Sequence, residues 1–343
     1  MKAVVFTSPS QVDLTQRPEP RPGGPSESLI AVIACGLCGS DARTMTDPPR
    51  MPCRPDTVLG HEIVGRIVEP SDSGRFTAGD VVVVVPNYPC RTCQSCRRGL
   101  INLCDRFDHI GAISDGGLTE RLWVPDEFVH PVPNGLDPHV AVLAEPLACV
   151  LNGTTRARWS PGEPAVVLGG GPIGLLFTVM AKLAGVHPLV VTEPNPARAG
   201  LAHELGADHV IDPRDGDAPL QMVAAVGERG ATTVVDAVGT LLPTALEVVA
   251  KGGEILVFGV DHAGEVTIAP STIVDKEISI HGVYIAKGTF PLALNLLARH
   301  QDLFAKIVTD VYALDDWAEA KAALCGQKAA GKILVLAGAG RSH

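Results

Sequence analysis

Fifteen residues from position 90, CRTCQSCRRGLINLC, carry four thiols: Cys90, Cys93, Cys96 and Cys104. Zinc takes four ligands in a tetrahedron, and a shell of four thiolates leaves no open position, the arrangement of a structural site. A metal held this way would fix a long loop that has no core of its own, its binding energy becoming folding energy. A DNA-binding zinc ribbon would use the same thiols. The formal charge of -10 and the lack of a second paired knuckle argue against that reading.

A second group is scattered along the chain. CGLCGSD contains Cys35, Cys38, Ser40 and Asp41; GHE contains His61 and Glu62; AEPLAC contains Glu145 and Cys149. Cys38 and His61 are candidate ligands of one further zinc, with Glu62 or Glu145 adding an oxygen. A catalytic zinc keeps one position open for water or substrate. Spacing does not assign these residues, because single Cys, His and Glu residues are more often packed or surface groups.

A third motif concerns phosphate. GGGPIG matches G-x-G-x-x-G, with Gly169, Gly171 and Gly174 in the three glycine positions and Pro172 and Ile173 between the last two. It follows a candidate strand, AVVLG, and opens a candidate helix, which is the context a dinucleotide turn requires. The first glycine permits the turn, the second admits a pyrophosphate and the third lets helix and strand pack closely. The helix N-terminus adds unpaired N–H groups. An acid about 20 residues later should bind the ribose hydroxyls, and Glu193 stands there. Its carboxylate would repel a 2′-phosphate, so NAD is expected over NADP, with Arg198 close enough to soften the preference.

These motifs need elements to hold them. The first 150 residues read as β-rich, with apolar runs at 3–6, 29–34, 63–68 and 81–85 separated by Pro, Gly, Asp and Ser. Two long polar stretches, 41–59 and 86–119, read as functional loops. After about residue 150 strands alternate with helices. Strands are expected at 165–169, 188–191, 209–211, 232–236, 254–258 and 277–285, and helices at 172–184 and around 197–205. That rhythm implies a parallel sheet covered on both faces. Helices near 291–299 and 315–324 and a strand at 332–336 close the chain.

Composition narrows the function further. The chain has 343 residues, enough for two domains, and a hydrophobic share of 46% that supports a large core. Its acidic balance excludes a nucleic-acid partner, and no apolar run approaches a membrane span of roughly 20 residues. No secretory signal opens the sequence. Nine cysteines without export suggest reduced, metal-binding thiols, so a cytoplasmic protein is expected.

Taken in order, CGLCGSD, GHEIVG, the cysteine loop, DGGLTE, EPLAC, GGGPIG and GKILV resemble the zinc-dependent medium-chain dehydrogenase/reductase family, the alcohol and polyol dehydrogenases, over nearly the whole chain. The resemblance implies an α/β protein: a GroES-like β-rich catalytic domain over 1–150 and 286–343, interrupted by a doubly wound Rossmann domain over 151–285. It implies an active site in the cleft between them, two zincs per chain and a homodimer or homotetramer joined partly through the strand near 277–285.

Carried over residue by residue, it makes Cys38 and His61 catalytic-zinc ligands, with Glu145 favoured over Glu62 as the third. The Glu145 position points to the sugar-alcohol or cyclitol branch. Asp41 would orient the ligand histidine, and Ser40 would take the substrate's proton. Cys35 holds a position often occupied by a non-ligand cysteine. Lys332, in GKILV, would reach the cofactor's pyrophosphate, and Gly239 and Val260 would lie near the nicotinamide. The sequence has Arg43 where relatives that relay the proton onward often carry histidine. Asn87 and Tyr88 offer hydrogen bonds to a polyhydroxy substrate. The implied activity is hydride transfer between a secondary alcohol and NAD. An amino-alcohol dehydrogenase like L-threonine 3-dehydrogenase is the enzymatic alternative, and a non-catalytic NAD- and zinc-binding protein is the alternative of another class.

Overall fold

The computed structural model of the chain describes residues 1–338. It divides into two compact units: Met1–Ala148 with the chain from Ala286 onward, and Cys149–Ile285.

The first unit is built from β1 (Lys2–Ser8), β2 (Gln11–Gln16), β3 (Glu27–Leu37), β4 (Thr57–Val58), β5 (Glu62–Glu69), β6 (Val81–Val84), β7 (Asn87–Tyr88), β8 (Asp108–His109), β9 (Arg121–Pro125) and β10 (Val129–Pro131). The main sheet runs β10-β6-β5-β3 and continues into the Lys332–Leu336 and Val308–Ala313 strands, with β9 also paired to β3. β3 is therefore central. Ile30, Val32 and Ala34 are fully buried on it, and the period-two pattern expected of a sheet facing a core on one side gives way to continuous burial towards its end. Ile30, Ile63, Ile67, Leu118 and Leu122 form the core beneath it. The strand expected at 332–336 fills the other flank of β3, antiparallel, with Leu37 opposite Ile333. Burying an apolar side chain of this size stabilises by roughly 1.5–3 kcal/mol.

The second unit is a parallel sheet of β11 (Ala165–Leu168), β12 (Leu189–Thr192), β13 (His209–Ile211), β14 (Ala231–Asp236), β15 (Val249–Val257) and β16 (Ser279–Gly282), in the order β13-β12-β11-β14-β15-β16. The reversal of strand order at β11 is the point where doubly wound sheets open a crevice for a ligand. β11 and β12 are wholly buried, AVVL and LVVT, as a sheet covered on both faces requires.

Two boundaries differ from expectation. β15 starts at Val249 rather than 254, because Val249 and Ala250 are already buried and Val249 pairs with Ala231 of β14. The strand expected over 277–285 is confined to Ser279–Gly282: Glu277 takes a left-handed φ of 48° as it ends the Pro270–Lys276 helix, and Ile285 has φ 41°.

Candidate functional site

The cysteine loop folds on its own short elements. Cys93 caps the Gln94–Arg97 helix, accepting from the Cys96 N–H, while Cys90 accepts from the Cys93 N–H at 3.4 Å and Cys104 from the Cys90 and Arg106 N–H groups at 3.2 and 3.3 Å. Backbone N–H groups aimed at sulfur stabilise thiolates. Hydrogen bonds from Thr92 and Cys93 bring the Cys90 thiol down to about 5, whereas burial and its thiol neighbours push Cys96 up to about 12. One ligand atom from each of the four cysteines lies within 4.8 Å of the others. Four thiols this close cannot all ionise without a cation, and the all-sulfur donor set fits zinc with no position left open.

The scattered group also comes together. β3 ends at Leu37, and the chain turns at Cys38 into the Gly39–Thr44 helix. Cys38 N–H donates to Asp41 Oδ2 at 2.8 Å, closing that turn and fixing the direction of the Cys38 side chain. Opposite, Gly60 has φ 94°, and a Cβ there would fall 2.7 Å from Cys35 Sγ, so only glycine lets the chain deliver His61 and Glu62 at the start of β5. Ligand atoms of Cys38, His61 and Glu62 all lie within 4.8 Å of one another. His61 Nδ1 faces Asp41 Oδ1 at 3.8 Å, and both residues are buried. Burial pulls the imidazole's pKa down, but Asp41, Cys38 and Glu145 outweigh it, so the net direction is well above the ordinary value. Burial raises the Asp41 carboxyl, opposed by His61 and the Cys38 N–H. Burial raises Cys35 well above the usual thiol range, which keeps it a neutral neighbour.

Glu62 is fully buried, and Gly36 explains how it fits. The two residues face each other across the β3–β5 pair, and a Cβ on Gly36 would lie 2.1 Å from Glu62 Oε2. Across that gap Glu62 Oε1 accepts from Lys332 Nζ at 2.6 Å, and Nζ also donates to the Leu37 carbonyl at 3.0 Å. Burial alone would lower the ammonium's pKa; Glu62 outweighs it, and the net shift is upward. Glu62 Oε2 has no hydrogen-bond partner. A buried, unpartnered carboxylate oxygen beside a thiol and an imidazole is costly unless a cation takes it up, and the mixed S, N, O set suits zinc.

One expectation changes here. Lys332, expected at the cofactor's pyrophosphate, is 2% exposed and spends its ammonium on Glu62 and Leu37. Glu145, favoured over Glu62 as the third ligand, is buried close enough to raise both His61 and Lys332, and the compact donor set among the described residues contains Glu62, so both carboxylates stand beside Cys38 and His61. Cys149 is buried as well. Ser40 and Arg43 are one turn apart on the Gly39–Thr44 helix, and Arg43's guanidinium makes no hydrogen bond or ion pair among the described residues.

In the second unit the glycine turn sits where β11 meets the Pro172–Leu183 helix. Gly169 has φ 100° and donates to the Thr192 carbonyl at 3.1 Å. A Cβ on Gly174 would lie 1.7 Å from the Gly169 oxygen, whereas one on Gly171, the residue that caps the helix, would meet nothing within 4 Å. That open space over Gly171, with Pro172 and Ile173 opening the helix behind it, is the room a pyrophosphate needs. Glu193, just past β12, is buried against the turn: Oε2 accepts from Gly170 N at 3.0 Å and Oε1 from Asn195 N at 2.8 Å. Arg198 follows on the Pro196–Glu204 helix, its N–H donating to Asn195 Oδ1 at 3.4 Å. Gly239 has φ 101°, and a Cβ there would press on the Gly259 oxygen at 2.5 Å, so the loops after β14 and β15 touch, with Val260 next in the second.

Sequence reasoning missed Asp236, fully buried at the end of β14. Its carboxylate accepts from the Val238, Gly239 and Leu241 N–H groups at 2.9, 2.7 and 2.9 Å and so shapes the loop that carries Gly239. The signal was the Asp in VVDAVG. It also missed the pairing of His109 with Asn87, 2.7 Å apart.

A buried electrophile site in one unit and a dinucleotide turn in the other are the working parts of a metal-assisted nicotinamide dehydrogenase. Known proteins give the same answer. Residues 24–134 match the alcohol dehydrogenase GroES-like domain, and residues 172–299 match the zinc-binding dehydrogenase domain. Sorbitol dehydrogenase from Bacillus subtilis is 30% identical over 326 residues, 93% of this chain and 92% of that protein. D-altritol 5-dehydrogenase from Agrobacterium fabrum is 34% identical over 294 residues, 83% of this chain and 84% of that protein. A zinc-binding dehydrogenase from Sinorhizobium meliloti, solved with NADP bound, superposes with a TM-score of 0.89 at 31% identity, covering 98% of both chains. The chain belongs to the zinc-dependent medium-chain dehydrogenase/reductase family and is an NAD(P)-dependent oxidoreductase of secondary alcohols. No helix among the described residues is long and apolar enough to cross a membrane.

Proposed function

We propose that the protein oxidises one secondary hydroxyl of a polyol, cyclitol or sugar-like substrate, reversibly, with NAD as the hydride acceptor. The observation that carries this reading is the Cys38–His61–Glu62 cluster, half-buried at Cys38 and buried at the other two, with its unpartnered Glu62 oxygen. These residues would hold a zinc, which would supply Lewis acidity and make the substrate hydroxyl a better acid. Cys38 and His61 are its anchors, Glu62 or Glu145 its oxygen donor, and the four cysteines of the loop hold a second, structural zinc.

The chain's own groups do the rest. Asp41 fixes Cys38 through its N–H and faces His61 Nδ1, which sets the imidazole's orientation. Ser40, half-buried one residue before Asp41, takes the substrate proton by hydrogen bond. Arg43, one turn on, stands where a relay would continue, so the proton passes from Ser40 to solvent rather than to a histidine. Gly171 and the helix behind it receive the pyrophosphate, and Glu193 the ribose hydroxyls. Glu193's position at the end of β12 supports NAD over NADP, although the Sinorhizobium meliloti relative carries NADP. The sorbitol and altritol dehydrogenase relatives support the polyol reading over an amino alcohol such as L-threonine. Assembly as a homodimer or homotetramer is part of the same proposal.

The test is a panel of polyols, cyclitols and amino alcohols read by NADH absorbance, each with NAD and with NADP. Turnover of polyols with NAD is expected. Turnover confined to L-threonine, or to NADP, would refute the substrate or the cofactor assignment respectively.

A further inference from the structure

β7 and β8 are only two residues long, yet their register sets Asn87 directly opposite His109. Asn87 Oδ1 lies 2.7 Å from His109 Nδ1. An amide oxygen only accepts, so Nδ1 carries the ring proton. In a neutral imidazole the other nitrogen, Nε2, is then a bare acceptor. Nε2 makes no hydrogen bond among the described residues and is not one of their sealed, unsatisfied polar atoms, so it keeps contact with open space. The ring is half-buried and packs against His61, their centroids 5.3 Å apart at a tilt of 48°. A ring whose tautomer is set by Asn87, beside the metal candidate and with one nitrogen left over, is more than packing requires; a phenyl ring would fill the same volume.

We propose that His109 is a specificity-determining residue, which accepts a hydrogen bond from the hydroxyl on the carbon next to the reacting carbinol and so selects vicinal polyols over monohydric alcohols. Asn87 is its positioning residue. The inference rests on the polyol reading above and deepens it: a simple secondary alcohol has no second hydroxyl to offer Nε2, and a ligand that covers this acceptor without pairing it is discriminated against.

The probes are 2,3-butanediol and 2-butanol, which differ by the neighbouring hydroxyl alone. The quantity is the ratio of their kcat/KM values within each enzyme, since a general loss of folding or metal lowers both together. In the His109→Phe variant the ratio should fall about 10- to 100-fold, the loss expected for one hydrogen bond to a desolvated acceptor. His109→Gln, which offers a side-chain oxygen in place of Nε2, should recover part of the ratio. Asn87→Leu, which frees the tautomer, should lower it less than His109→Phe. A wild-type enzyme that prefers the diol and a His109→Phe variant with an unchanged ratio would overturn the inference and leave the polyol reading standing. A wild-type enzyme with no preference for the diol, and no turnover of larger polyols, would overturn both. If His109→Phe turns over neither probe, His109→Gln decides: partial recovery of the ratio supports the proposal, and inactivity there too refutes a specificity role.

Discussion

Replacing Lys332 by methionine tests how the metal candidate is held together. Lys332 and Glu62 are 2% and 0% exposed, and Nζ and Oε1 are 2.6 Å apart. At an effective dielectric of about 20 their attraction is about 6 kcal/mol, offset by the cost of taking both charges out of water. Methionine keeps the length and the apolar stem but removes the ammonium, so Glu62 is left buried with neither oxygen paired. Breaking one side of such a pair costs about 3–5 kcal/mol. In a unit of this size that lowers Tm by about 6–20 °C. Thermal unfolding of the metal-stripped protein, followed by tryptophan fluorescence, measures it, because no cation can then replace Lys332. The double variant Glu62→Gln/Lys332→Met should regain at least about 2 kcal/mol, since it removes the stranded charge. A loss under about 1 kcal/mol, or a loss of NADH affinity at unchanged stability, would refute this reasoning; the second result would return Lys332 to the cofactor.

Other expectations follow from the same geometry. Gly171→Ala should leave Tm within about 1 °C and weaken NADH binding at least 10-fold, because its Cβ meets only the space the pyrophosphate takes; Gly174→Ala, whose Cβ collides with the Gly169 oxygen, should destabilise the Rossmann unit itself, as circular dichroism would show. Cys96→Ser should remove one zinc per chain and lower thermal stability by several degrees. Asp126→Asn should destabilise the first unit at pH 7. Burial raises that carboxyl, but hydrogen bonds from Ser28, Ser71 and Ser73 and the Arg75 charge outweigh it and hold it below the ordinary value. Its contribution is therefore complete above about pH 4 and disappears as pH falls through the depressed value, so melting curves of wild type and variant should converge in acid.

What the sequence made legible was local. The cysteine loop and the glycine turn each lie within fifteen residues, so spacing alone brings their atoms together, and the buried strands β11 and β12 announce themselves as unbroken apolar runs. What it hid was set by sheet register. Glu62 and Lys332 stand 270 residues apart in sequence and meet only because both flank the end of β3, with Gly36 leaving the gap between them. That is why a lysine in GKILV read as a cofactor contact. His109 was invisible for a similar reason: a lone histidine in a polar loop gains meaning only from the two-residue pairing that sets it against Asn87. Strand propensity over 277–285 also overreached, since the left-handed backbone at Glu277 and Ile285 confines the ladder between them.

The central claim is that a metal held by Cys38 and His61 is the one the chemistry needs, separate from the metal of the cysteine loop. Zinc content by mass spectrometry, measured beside polyol-dependent NADH formation on wild type, Cys38→Ser and Cys96→Ser, tests it most directly. The account predicts about two zincs per chain in the wild type and one in each variant, with activity abolished in Cys38→Ser. A Cys38→Ser protein that keeps both metals, or that still reduces NAD at the wild-type rate, would contradict it.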